Sequence, residues 1–271
     1  MSSIPASSEG FLPHVKNITL YTTILKAAAV LRATTSQILQ CLQLTFSGMR
    51  TVVDLPSFTG PLAPSVQRFS STLQSITIHF FWKHDIAAGP RQDALQPFTP
   101  WLSPLLSLHA LAKVELRLLG VILHVSTQNV RSMACAWPRI TWLRVLDDDY
   151  IVSNNDAPTP DWQLAPVPVS ALLAFAEHCP SLKHLVLSPL YLTQDDCSMK
   201  SWRPSADSVS APQLLTLAAN FFPCAREDRP RVDCGGTTET PSCMRPFLDA
   251  IFPNAKRTFW VWYVFDASVY A

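Results

Sequence analysis

The strongest constraint on this chain is one spacing of apolar residues that returns along its length. Four segments place a proline, one residue, and then apolar residues in the pattern Φ-x-x-Φ-x-Φ. They are Pro13 with Val15, Ile18 and Leu20; Pro138 with Ile140, Leu143 and Val145; Pro180 with Leu182, Leu185 and Leu187; and Pro212 with Leu214, Leu217 and Ala219. Three more keep the spacing without that proline: Leu39/Leu42/Leu44, Leu73/Ile76/Ile78 and Leu111/Val114/Leu116. A degenerate eighth begins at Pro253, with Ala255, Thr258 and Trp260 in the apolar places. Side chains alternate along a strand with period two, so the last two apolar residues of each segment point inward and the residue between them points out.

Several of these strands follow a helical pattern. Val169–Cys179 puts Leu172, Phe175, Ala176 and Cys179 on one helix face, and Asn129–Trp137 and Met244–Phe252 behave alike. Pro138, Pro180 and Pro253 follow these three segments directly. Proline disfavours helical backbone in the residue before it and lacks the N–H of the next helical bond. It therefore ends each helix and passes the chain to the strand. Composition agrees with this use: the chain holds 23 Pro but only 7 Gly.

Helix and strand in alternation predict parallel strands with helices on one side, in an open one-dimensional stack. The expected fold class is α/β: a leucine-rich-repeat-like solenoid with parallel strands on the concave face and helices on the convex face. Its intervals, about 24 to 42 residues, overlap or exceed the usual leucine-rich lengths. Asn-Gly and Asp-Gly hairpin turns are absent, which argues against a sandwich. The rival architecture is a closed α/β barrel carrying a hydrolase site at its strand ends. The expected organisation is a disordered N-terminus over 1–10, an irregular repeat domain over 11–260 and an apolar tail over 261–271.

Met133–Leu143 and Leu172–Leu187, with their Trp137-Pro138 and Cys179-Pro180 junctions, resemble the repeat region of fungal F-box/leucine-rich-repeat proteins. Phe247–Asn254 is similar to a last repeat of that family, and Leu73–Ile78 and Leu105–Leu116 to earlier ones. The resemblance spans roughly residues 11 to 256. It implies a substrate receptor of a cullin-type ubiquitin ligase, whose F-box helices would bind the ligase adaptor while the repeats hold the substrate. The chain departs from the family at its start. Leu12-Pro13 already leads into a strand, no Trp precedes Trp82, and no F-box can be placed. A standalone repeat scaffold and a truncated gene product are the alternatives. The adaptor is expected as a partner only if an F-box exists.

Motifs for chemistry are missing. None of the glycines forms G-x-G-x-x-G or G-x-x-x-x-G-K-[ST], and G-x-S-x-G, H-E-x-x-H and paired carboxylates are absent too. Cys197, Cys224, Cys234 and Cys243 lack the Cys-x2-4-Cys knuckles of structural zinc sites. Cys135 and Cys179 read as small buried apolar residues at helix ends. His178 and Cys179 are adjacent on a helix and point about 100° apart, too far to form a nucleophile–base pair. The run Asp147-Asp148-Asp149 begins a solvated loop or caps a helix. The expectation is a noncatalytic chain without cofactor or metal.

Twenty-one Lys+Arg against twenty Asp+Glu leave a net charge of +1, which offers no footprint for nucleic acid. No apolar run reaches the roughly 20 residues of a membrane span, and the N-terminus lacks a secretory pattern, so cytosol or nucleus is expected. Function then falls to the outward residues of the strands, and to a protein partner. They are Asn17, Thr19 and Tyr21; Ser75, Thr77 and His79; Lys113, Glu115 and Arg117; Trp142 and Arg144; and His184. Arg and Trp are enriched among binding hot spots, which singles out Arg117, Trp142 and Arg144. The segments Asp147–Pro168, Ser188–Ser210 and Pro223–Ser242 are expected to be long loops.

Overall fold

The computed structural model describes residues 12–49, 55–82, 95–119, 122–147, 167–193, 214–221 and 245–261. The strands are β1 (Asn17–Tyr21), β2 (Cys41–Met49), β3 (Ser75–Trp82), β4 (Leu95–Pro97), β5 (Lys113–Leu119), β6 (Ile122–His124), β7 (Trp142–Asp147), β8 (Val167–Pro168), β9 (His184–Thr193), β10 (Thr216–Phe221) and β11 (Lys256–Val261). The helices are α1 (Ile24–Ala33), α2 (Leu55–Gln67), α3 (Thr99–Leu106), α4 (Thr127–Ala136), α5 (Leu173–His178) and α6 (Arg245–Ile251). Eight strands form one parallel sheet in the order β1-β2-β3-β5-β7-β9-β10-β11, and β8 adds to the end of β9. The order follows the chain, and β1 and β11 are opposite edges. The sheet is open, which overturns the closed-barrel alternative. The pair β4–β6 is a separate parallel ribbon.

Register is set before each strand begins. The carbonyl of Lys16 accepts from the N–H groups of both Gln40 and Cys41, at 2.8 and 2.9 Å. The Gln40 carbonyl does the same for Gln74 and Ser75, Gln74 for Ala112 and Lys113, and Ala112 for Thr141 and Trp142. Thr141 then takes Lys183 and His184, and Lys183 takes Leu215 and Thr216. One oxygen with two lone pairs thus fixes two successive residues of the next strand.

That register stacks the inward residues. Ile18, Leu42, Ile76, Val114, Leu143, Leu185 and Leu217 lie side by side, and Leu44, Ile78, Leu116, Val145 and Leu187 form a second buried row. Both rows belong to one core with helix residues such as Ala28, Leu31, Val66, Met133 and Phe175. Burying a side chain of this size contributes about 1.5–3 kcal/mol. The helices pack in succession, α1 on α2, α2 on α3, α3 on α4 and α4 on α5.

The turns before β5, β7, β9 and β11 use a buried residue whose carbonyl accepts from the N–H three positions on. Leu108 serves Leu111, Trp137 serves Ile140, Cys179 serves Leu182 and Phe252 serves Ala255. Some of these residues also donate to carbonyls at the end of a neighbouring helix. Trp137 Nε1 donates to the Leu105 carbonyl at 3.1 Å, and Cys179 Sγ donates to the Ala134 carbonyl at 3.4 Å. His109 Nδ1 lies 3.0 Å from the Ala136 carbonyl, which can only accept, so this nitrogen carries the proton.

α4 is fixed at its other end by a reciprocal cap. Ser126 Oγ accepts from the Asn129 N–H, and Asn129 Oδ1 accepts from the Ser126 N–H. Asn129 Nδ2 reaches across to Thr99 Oγ1 at the start of α3.

Several expectations change. Proline is not only a stop: Pro61 and Pro64 lie inside α2, and Pro104 inside α3. The Pro61 carbonyl accepts from Ser65 Oγ and the Pro104 carbonyl from Ser107 Oγ. Cys135 is exposed rather than buried, because it lies on α4 away from Met133 and Ala134, which enter the core. In β11 the register is one residue earlier than the spacing suggests: Leu217 pairs with Arg257 and Ala219 with Phe259, not with Thr258 and Trp260. Arg257 is tolerated in an inward row because its guanidinium donates to Asp249 Oδ1 and to the Phe252 carbonyl.

Of the expected long loops, Val167–Pro168 is strand β8, and Ser188–Thr193 completes β9. Residues 1–10 and the tail beyond Val261 lie outside the described residues, as do Asp148 and Asp149.

Burial pushes the Cys179 thiol from the ordinary 9.0 up to about 12, with Cys135 a smaller cause. A folded value above the unfolded one means that this contribution to stability is complete below pH 9 and is lost as pH rises towards 12. Iodoacetamide at pH 8 should modify Cys135 in the native chain and spare Cys179 until denaturant is added. Equal labelling of both, read by peptide mass spectrometry, would contradict this packing.

Candidate functional site

The register that buries one face also orders the other. The first outward column reads Asn17, Cys41, Ser75, Lys113, Trp142, His184, Thr216 and Lys256. The second reads Thr19, Gln43, Thr77, Glu115, Arg144, Val186, Ala218 and Thr258. A third runs Tyr21, Thr45, His79, Arg117 and Leu146. Every residue singled out in the sequence for this face lies in one of these columns. Cys41, Gln43 and Thr45 of β2 were missed there, although the Leu42/Leu44 alternation would have named them.

Six of these residues meet on three adjacent strands. Glu115 is the centre and is only 7% exposed. Its Oε1 accepts from Arg117 Nε at 2.8 Å and lies 3.8 Å from Arg144 Nη1 on β7, while Oε2 lies 3.8 Å from Lys113 Nζ. Glu115 is therefore not the solvated contact residue expected of it. It is a buried carboxylate that gathers three partly exposed cations.

Beside the charges stands an aromatic pair. The Trp142 and His184 rings are 4.3 Å apart between centroids, tilted by 43°. Lys113 Nζ lies 5.7 Å from the centre of the Trp142 ring, within cation–π reach. His184 Nδ1 contacts Thr216 Oγ1 at 3.2 Å, which holds the ring from the β10 side. Trp142 Nε1 and Arg144 Nε are buried and have no acceptor among the described residues.

His79 on β3 reports the field. Its proton affinity is lowered first by burial and then by Arg117; Glu115 raises it and Arg144 lowers it again. A folded value below 6.5 means that stability falls as pH drops below that point, since the unfolded chain takes up the proton first.

Among the described residues no group of three His, Cys, Asp or Glu could hold a metal ion, and no helix is long and apolar enough to cross a membrane. Cys197, Cys224, Cys234 and Cys243 lie outside the described residues. Chemically, the cluster can bind: three cations around one carboxylate, next to an aromatic surface.

Replacing Glu115 by Ala should destabilise the fold by about 1–2 kcal/mol, since it leaves three like charges together and Arg117 Nε without its acceptor. The same change removes the one group that raises the proton affinity of His79, so its imidazole should titrate still lower. Denaturant melts and histidine NMR read the two effects, and an unmoved His79 titration would contradict the geometry.

Comparison with protein-family models gives no match, and comparison with curated protein sequences gives none either.

Proposed function

We propose that the chain is a noncatalytic protein-interaction module, built as a leucine-rich-repeat-like solenoid. On this reading it resembles the substrate-recognition part of an F-box protein of a cullin-type ubiquitin ligase. One observation carries the interaction reading: eight parallel strands follow in chain order, so their outward residues stack into columns across one sheet face. Solenoids bind partners on such extended faces, where neighbouring units each contribute a few side chains.

The double-acceptor carbonyls before successive strands and the buried residue in the preceding turns support a repeated unit. Lys113, Arg117, Trp142, Arg144 and His184 are the binding residues on this reading, with Glu115 holding the three cations together beneath them. Arg and Trp give large contact energies when a partner covers them. The free thiols of Cys41, Cys135 and Cys179 suit the reducing cytosol or nucleus in which such a receptor works. The ligase part rests on the resemblance of Met133–Leu143 and Leu172–Leu187 alone.

Two measurements separate these parts. Partners recovered on the native chain should be lost from the double variant Trp142→Ala with Arg144→Ala, and kept by Lys26→Ala with Arg131→Ala on the exposed helix surface. Identical recovery from both variants would remove the sheet face as the binding site. Direct binding of purified ligase adaptor at up to about 100 μM, a range that detects weak complexes, would support the ligase part; no binding would leave a standalone repeat scaffold.

A further inference from the structure

The charges of the outward columns are concentrated. Among the described residues, every charged residue in these columns except Lys256 stands on β5 and β7. These two strands carry Lys113, Arg117 and Arg144 against the single carboxylate of Glu115. The whole chain has a net charge of only +1, so the excess of positive charge is local to this patch. Its neighbours in the columns are uncharged on both sides: Ser75 and Thr77 on β3, Val186 on β9 and Ala218 on β10.

We infer that this patch takes an extended acidic segment of a partner protein, whose anionic side chains sit on Arg117, Arg144 and Lys113 while an apolar side chain lies on the Trp142–His184 pair. The inference rests on the interaction reading above and names the chemistry of its partner. Three features support it. First, charge: Glu115 offers one negative charge to three cations, and the guanidiniums of Arg117 and Arg144 keep further N–H groups for forked contacts with an incoming anion. Second, the buried donors Trp142 Nε1 and Arg144 Nε have no acceptor among the described residues, an unfavourable state that a small side-chain rotation towards an arriving oxygen relieves.

Third, size. Lys113 to Arg117 spans about 13 Å along β5, and the strands from β3 to β9 span about 14 Å across. That is the length of roughly four extended residues. A nucleic-acid backbone is served by longer runs of cations, with about 6–10 phosphate contacts in strong binders. Three cations around a carboxylate, flanked by an aromatic pair, fit a short peptide better.

The test uses fluorescence anisotropy on the full chain with a labelled Glu-Glu-Phe-Glu-Glu peptide. Its phosphoserine and lysine counterparts and a single-stranded DNA oligonucleotide of the same length complete the set. The Glu peptide should bind; a phosphoserine peptide that binds while the Glu peptide does not would overturn the carboxylate-bearing segment as the occupant. The lysine peptide should not bind. Arg144→Glu should weaken the acidic peptide about tenfold, Arg144→Lys should retain most of the binding, and Glu115→Gln should tighten it about threefold by removing the competing charge. Circular dichroism of each variant checks that it folds.

Acidic peptides no tighter than the lysine peptide, or DNA as tight as the acidic peptides, would overturn the inference. So would Glu115→Gln weakening the binding in a folded variant. If the acidic peptides fail while the Trp142/Arg144 variant still loses the partners of the native chain, only the acidic chemistry falls. If that variant also keeps its partners, the interaction reading falls with it.

Discussion

A carbonyl that accepts two successive N–H groups is the contact on which the rest of this structure depends. Lys16, Gln40, Gln74, Ala112, Thr141 and Lys183 each supply one. In a parallel sheet a slip by one residue would turn every side chain to the other face, exposing Leu143 and Leu185 and burying Arg144 and His184. The apolar rows penalise such a slip, and the carbonyls oppose it from the first residues of β2, β3, β5, β7, β9 and β10. The helices can then vary in length between strands without disturbing the sheet, which accounts for the irregular intervals along the chain.

The same register has an electrostatic result. Glu115 meets Arg144 because β5 and β7 are paired residue for residue, whereas its contact with Arg117 comes from two-residue spacing on one strand. A nearly buried carboxylate is costly to desolvate, and it is retained here with three cations around it. Without it, Lys113, Arg117 and Arg144 would repel one another. With it, they stay together on one face and still leave an excess of positive charge.

Much of this was legible in the amino-acid sequence, because period-two alternation is a local property. Ile76/Ile78, Val114/Leu116, Leu143/Val145 and Leu185/Leu187 identify their strands and, by exclusion, the outward residues. What was not legible depends on contacts distant in sequence. α2 forms through Pro61 and Pro64, against the usual rule, with its buried Leu62 and Val66 in the common core. Glu115 reads as a solvated residue until β7 is placed beside it. The shift in β11 arises at the sheet edge, where Arg257 reaches Asp249 and the Phe252 carbonyl and so fits an inward place that spacing would give to Thr258. Cys135 fails for a simpler reason: proximity to a helix end says nothing about which side of the helix a residue occupies.

Cross-strand register assembles the charged cluster. A double-mutant cycle between Glu115→Gln and Arg144→Ala tests it most directly, because these residues are neighbours only if β5 and β7 pair as described. Stabilities of the native chain, both single variants and the double variant should give a coupling of about 0.5–1 kcal/mol, reduced at high salt. Strict additivity at low salt, within about 0.2 kcal/mol, would contradict the register and the site built on it.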